Sequence, residues 1–134
     1  MAVIKHDIRL LRSSEDVVGA RQTVRAWAIA AGFSLVDQTK IVTAASELAR
    51  NTLQYGGGGT MRLEALNDGA KRGLRLVFED QGPGIADIER ALQDGFTSGG
   101  GLGLGLGGSR RLVNDFDIHS RPGEGTTVTI TRWK

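Results

Sequence analysis

The chain has 134 residues, the size of one compact domain, and is 40% hydrophobic and 24% charged, an ordinary soluble composition. Seventeen Lys and Arg against 15 Asp and Glu leave a net charge of +2, too small a surplus to grip a phosphate backbone, so no nucleic-acid partner is expected. With no cysteine in the sequence, a disulfide scaffold, a thiolate metal site and a cysteine nucleophile are excluded. The first residues show no basic segment leading into an apolar run, so no secretory leader is expected. The longest apolar stretch, residues 26–33, is eight residues with Gly32 inside, too short to cross a bilayer. These features predict a single cytoplasmic domain over residues 1–134, without a membrane partner.

Residues 3–11 read as a first strand, with Val3, Ile4, Ile8, Leu10 and Leu11 as its apolar members. Ser13 with Asp16 three residues on is a helix-capping pattern. The helix it opens runs to about Ala31, with Val17, Ala20, Val24, Trp27, Ala28 and Ala31 spaced by three or four, and Gly32 stops it. Ser34 and Asp37 repeat the cap for a second helix to about Gln54, whose apolar face is Ile41, Ala44, Ala45, Leu48 and Leu53. The glycines at 56–59 form a turn. Met61, Leu63 and Ala65 alternate along a half-buried strand over 60–66, and a second strand follows over 73–80. A short helix over 87–92 and a helix over 107–116 precede two closing strands, 118–121 and 126–133, joined at residues 122–125. Neighbouring strand pairs with short turns predict an α+β two-layer sandwich, a mostly antiparallel sheet with helices on one face.

Glycine is the anomaly: 20 of 134 residues, about twice the average share, with eight of them in the fourteen residues 95–108. Backbone that must bend sharply or approach a ligand closely accounts for such clustering. Three features carry chemistry. Along the 73–80 strand, Leu74, Leu76, Phe78 and Asp80 share one face by period two, so a carboxylate points to the core side at the strand end while Glu79 points away. Burying it requires a donor, and an exocyclic amine such as that of adenine would serve; Gly82 and Gly84 bring backbone close to whatever Asp80 holds. On the second helix, Glu47 and Asn51 lie one turn apart on one face, a pairing suited to a general base and a metal-ligating amide oxygen. The glycine tract through Gly101, Leu102, Gly103, Leu104 and Gly105 leads into a helix, whose N-terminal N–H groups make an anion site for phosphates while the leucines anchor the segment.

Each feature also fits plain structure: a strand-end Asp opening a turn, a polar helix face, a flexible loop. Gly103, Gly105 and Gly108 match a dinucleotide fingerprint in form, but no strand precedes them, and no Gly-Lys-Ser/Thr of a P-loop occurs. His6 and His119 stand without ligand partners at useful spacing, Trp27 and Trp133 read as packing residues, and Arg110 and Arg111 as a solvated helix face.

In this order, Glu47-x-x-x-Asn51, Asp80-x-Gly82-x-Gly84, Gly101-x-Gly103-x-Gly105 and Gly125-Thr126 resemble the N, G1, G2 and terminal motifs of the GHKL ATPases, the superfamily of gyrase and the histidine kinases. The longer strings over 46–51, 79–85 and 94–106 look like those of the RsbT-type switch-protein serine kinases of the bacterial stressosome. The family string often carries a proline in the Gly-Leu stretch, where this chain has only Gly and Leu. The resemblance implies a Bergerat-type fold that uses ATP and Mg²⁺. In it Asp80 would accept from the adenine amine, Gly82, Gly84 and Thr126 would complete the base pocket, and Asn51 would ligate Mg²⁺. Glu47 would be the base toward a substrate serine, and the segment from Gly101 to Gly105 would hold the phosphates. Residues between Gly84 and Gly101 would form a lid, expected to be disordered over 95–105 without ligand. The implied partners are a STAS-domain antagonist protein, as phosphoacceptor, and a PP2C-type phosphatase. The alternative is a non-catalytic anti-sigma-type binding module whose partner choice is set by nucleotide; Glu47 beside Asn51 argues for catalysis instead.

Overall fold

A computed structural model describes residues 1–93 and 105–134. In chain order the elements are β1 (Ala2–Leu11), α1 (Ser14–Ala30), α2 (Leu35–Gln54), β2 (Gly59–Asp68), β3 (Lys71–Asp80), α3 (Ile88–Ala91), α4 (Gly105–Arg111), β4 (Asp115–Ser120) and β5 (Thr126–Trp133). The strands form one sheet in the order β1-β2-β3-β5-β4, every neighbouring pair antiparallel. No helix among the described residues is long and apolar enough to cross a membrane.

Both predicted caps form. Ser13 Oγ accepts from the Asp16 N–H at 3.2 Å and Ser34 Oγ from the Asp37 N–H at 3.1 Å, each satisfying a donor that the first helical turn leaves unpaired. The helices then lay their small and branched residues on the sheet. Val17, Ala20, Val24 and Ala28 of α1, with Ile41, Ala44, Ala45 and Leu48 of α2, are buried against Met61, Leu63, Leu74, Leu76, Phe78, Val128 and Ile130. Alanines dominate the helical side because they let helix and sheet backbones approach closely while the larger strand residues fill the layer between.

Two elements differ from the sequence reading. In β1, Leu11 is buried, but Val3, Ile4, Ile8 and Leu10 are each about half exposed. β1 is an edge strand, and its alternation gives Lys5, Arg9 and Leu11 to the helix side: the Lys5 ammonium lies 4.5 Å from the centre of the Trp27 ring, and Arg9 reaches Gly19 of α1. Ile8 and Leu10 therefore take the opposite, uncovered face. The second difference is at 107–116: α4 begins earlier, at Gly105, and ends at Arg111, and Asp115 and Phe116 already belong to β4. Phe116, Ile118 and Ser120 are the more covered positions of β4, a period of two that outcompetes helical spacing once Phe116 pairs with Ile130.

Arg132 of β5 holds the layers together at one end. Its Nη2 donates to Asp37 Oδ1 at 2.6 Å in the first turn of α2, and its Nη1 donates to the Leu112 carbonyl at 2.9 Å, beyond the end of α4. The hydrogen bond from the Arg132 guanidinium, ahead of smaller contributions, holds the Asp37 carboxyl below its ordinary value of 3.8. A carboxyl more acidic in the folded state stabilises the fold above that ordinary value and loses the contribution as pH falls through it toward the lower folded value. Denaturant unfolding of the protein and of Asp37→Asn should show the variant less stable at pH 7, with the gap closing toward pH 3. Parallel pH profiles would assign the clamp no role in acid stability.

Candidate functional site

The last rung of the β3–β5 ladder pairs Asp80 with Thr126. Directly opposed residues share a face, with Cβ atoms about 5 Å apart, so a carboxylate and a hydroxyl stand side by side at the end of the central strands, on the helix side. Asp80 Oδ1 accepts from the Gly82 N–H at 2.9 Å, which turns the chain immediately after the strand. An ionised carboxylate has about four lone-pair sites, so the contact leaves acceptor capacity for a further donor.

Gly56 puts the end of α2 against this carboxylate. The Gly56 N–H donates to the Asn51 carbonyl at 3.2 Å, closing the helix. A Cβ at Gly56 would overlap the Asp80 carboxylate, and one at Gly82 would lie 2.7 Å from Gly56 Cα. Two backbones and a carboxylate meet where no side chain fits. The first of the four consecutive glycines is thus a close-packing residue, a role that reading the run as a turn does not reveal. Gly84 is similar: its φ is +76°, and a Cβ there would overlap the Arg121 carbonyl. With the Gly123 N–H donating to the Pro83 carbonyl at 2.7 Å, the turn after β3 is fastened to the β4–β5 hairpin.

Glu47 and Asn51 lie on α2, upstream of Gly56 and about 6 Å apart along the axis. The Glu47 side chain is only 14% exposed, and its Oε1 accepts from Arg50 Nη1 at 2.9 Å. The pairing with Arg50 is one the sequence reading did not anticipate; its signal is an i,i+3 arrangement of opposite charges. Asn51 is partly covered, in the last turns of the helix. Asp80 and Thr126 are paired, Gly82 and Gly56 lie against each other beside Asp80, and Asn51 and Glu47 follow upstream of Gly56 on α2. Gly105 is the first residue of α4, at φ +67°, followed by the buried Leu106 and Gly107. Gly101, Leu102, Gly103 and Leu104, and with them nearly all of the segment expected to be disordered, lie outside the described residues.

Ser120 is the other residue the sequence reading passed over. Its hydroxyl touches the Ile85 N–H, the Gly125 carbonyl and Thr126 Oγ1 within 2.9 Å. A groove of about 420 Å³ opens beside it, between Ile88 and the residues from Ile118 to Thr127, and reaches Thr126. His119, on the other face of β4, is exposed and paired with Asp117 at 2.9 Å. Trp133 lies over Gly73 on the outer face of the sheet, as a packing residue.

Residues 36–134 match the family described as histidine kinase-, DNA gyrase B-, and HSP90-like ATPase. The chain is 48% identical over 118 residues to the serine/threonine-protein kinase RsbT of Bacillus subtilis, covering 88% of this chain and 89% of that one. It is 29% identical over 133 residues to the anti-sigma F factor of a Thermoanaerobacter species, covering 95% and 92%. Among solved structures, the RsbU and RsbW domains of a Mycobacterium tuberculosis protein share the fold, at a TM-score of 0.66 and 22% identity, over 96% of this chain and 32% of that one. The chain therefore belongs to the histidine kinase-, gyrase B- and HSP90-like ATPase family and, within it, to the family of the RsbT-type serine/threonine-protein kinases.

Proposed function

We propose that this protein is a cytoplasmic protein-serine kinase that transfers the γ-phosphoryl group of ATP to a serine of a STAS-domain antagonist protein. In a partner-switching stress cascade it then activates a PP2C-type phosphatase. The observation that supports the reading is that Gly56, just past the end of α2, lies against Asp80 of the Asp80–Thr126 pair, with Asn51 and then Glu47 following upstream on that helix. That order suits a nucleotide laid with its base at the strand ends and its phosphates along α2.

The donor set fits ATP. Asp80 and Thr126 offer oxygens to an exocyclic amine, and Gly56, Gly82 and Gly84 keep the walls free of side chains. Gly105, with the tract before it, would bring backbone N–H groups to the phosphates. Among the described residues no three His, Cys, Asp or Glu side chains converge as a metal site. Mg²⁺ binds through one or two protein oxygens together with phosphates and water; the Asn51 amide oxygen would be the protein's share. Glu47 acts as the base: as the serine oxygen attacks the γ-phosphorus and the bond to ADP breaks, the hydroxyl proton passes to the carboxylate. Arg50 engages Oε1 and steadies the side chain, leaving the second oxygen for the proton. Phosphoryl transfer asks little else of a protein beyond positioning and charge neutralisation.

Intact-mass analysis of a STAS-domain partner incubated with this protein, Mg²⁺ and ATP should show the gain of one phosphate. Glu47→Ala should slow the transfer by about 10²- to 10⁴-fold while still binding ATP. ATP binding and a stable complex without transfer would instead favour the anti-sigma-type binding module. Gly56→Ala tests the closed end of the site: its methyl displaces the Asp80 carboxylate, and ATP affinity should fall by about tenfold, or about 1.4 kcal/mol. Unchanged affinity in that variant, measured by calorimetry, would take Asp80 out of the binding site.

A further inference from the structure

Ser120 ends β4 with its hydroxyl at the junction of three segments. The Ile85 N–H donates to Ser120 Oγ at 2.8 Å, Ser120 Oγ donates to the Gly125 carbonyl at 2.9 Å, and Thr126 Oγ1 lies 2.8 Å away. A serine hydroxyl has one hydrogen and two lone pairs. The Gly125 carbonyl can only accept, so it takes the hydrogen; the Ile85 N–H can only donate, so it takes one lone pair. The contact with Thr126 then has a single direction: the threonine donates its hydrogen to the remaining lone pair of Ser120. With its hydrogen committed, Thr126 Oγ1 offers only lone pairs to anything else. Directly across the ladder stands Asp80, acceptor-only when ionised.

We propose that Ser120 is a specificity-determining positioning residue. By taking the Thr126 hydrogen it makes the Asp80–Thr126 pair an edge of acceptors alone, which selects a purine with an amino group at C6 over one with a carbonyl there. The inference rests on the nucleotide reading above and adds what that reading lacks, a residue that reaches the base only through Thr126. Without Ser120 the Thr126 hydroxyl rotates freely and donates as readily as it accepts, so the pair loses half of its chemical polarity. The same hydroxyl ties the turn after Gly84 to Gly125, so the pocket wall and the polarity of its edge depend on one side chain.

ATP and ITP differ at C6, which bears an amino group in one and a carbonyl in the other, and at the adjacent N1, which is a bare acceptor in adenine and an N–H in hypoxanthine; their equilibrium binding to the 134-residue chain reads the C6 preference. The protein should prefer ATP. In Ser120→Ala the ATP-over-ITP preference should shrink by about fivefold or more, the scale of one net hydrogen bond, and Ser120→Thr should restore it. Thr126→Val, which keeps the shape of the side chain and removes the hydroxyl, should show the same shrinkage, with little added in the double variant. Should Ser120→Ala fail to fold, Ser120→Cys, whose thiol is a weak donor and acceptor, decides in its place. Both affinities falling in step, with the preference unchanged, would make Ser120 a purely structural tie and overturn the inference. Equal binding of ATP and ITP by the unmodified protein would overturn it too, while leaving the nucleotide site standing. Binding of neither would overturn the nucleotide reading and this inference with it.

Discussion

The ladder between β3 and β5 ends with a carboxylate facing the helix layer, and the neighbouring chain segments are built around that fact. A carboxylate turned toward a core is costly unless donors meet it. Here the strand stops at the carboxylate, the next turn supplies one N–H, and the chain leaving α2 comes in at a glycine so that its backbone lies against the group. The outcome is a polar acceptor at the end of an apolar layer, with walls of backbone rather than side chain. Thr126 is brought opposite it by register alone, and the Ser120 hydroxyl lies within hydrogen-bond distance of the Thr126 hydroxyl.

The same constraint explains where part of the excess glycine goes. At Gly56, Gly82 and Gly84 a Cβ would occupy space already held by a neighbouring backbone or by Asp80 itself. Packing of that kind fixes distances between segments far apart in sequence, which flexible side chains do poorly. It also couples stability to the site: a methyl group at these positions does not simply crowd a loop but moves the carboxylate or the turn that follows it. The Arg132 clamp plays the complementary part at the far end, where it holds the first turn of α2 to β5 and so fixes the helix that carries Glu47 and Asn51.

Much of this was legible in the sequence where the signal is local. Caps at Ser13 and Ser34 announce two helices. Period-two alternation puts Asp80 on the inner face of β3, and i,i+4 spacing puts Glu47 and Asn51 on one side of α2. What stayed hidden depends on pairing between distant segments. Nothing near Thr126 says that it will stand across from Asp80, nothing near Gly56 says which group it will touch, and Ser120 is an ordinary strand-end serine until Ile85 and Gly125 arrive beside it. The boundary between α4 and β4 was misjudged because Leu112, Val113 and Phe116 fit a helical face as well as a strand, and the pairing of Phe116 with Ile130 decides between them. The apolar residues of β1 misled for a related reason. An edge strand satisfies its alternation with either face, and the aliphatic stems of Lys5 and Arg9 cover the helix side while Ile8 and Leu10 do not.

A crystal structure of the protein with Mg²⁺ and a non-hydrolysable ATP analogue tests the central claim most directly. The expected result has the adenine amine within hydrogen-bond distance of the Asp80 carboxylate and beside Thr126, the phosphates running along α2 past Asn51, and the γ-phosphate nearest Glu47. A base bound elsewhere, with Asp80 still bonded to the Gly82 N–H alone, would contradict it.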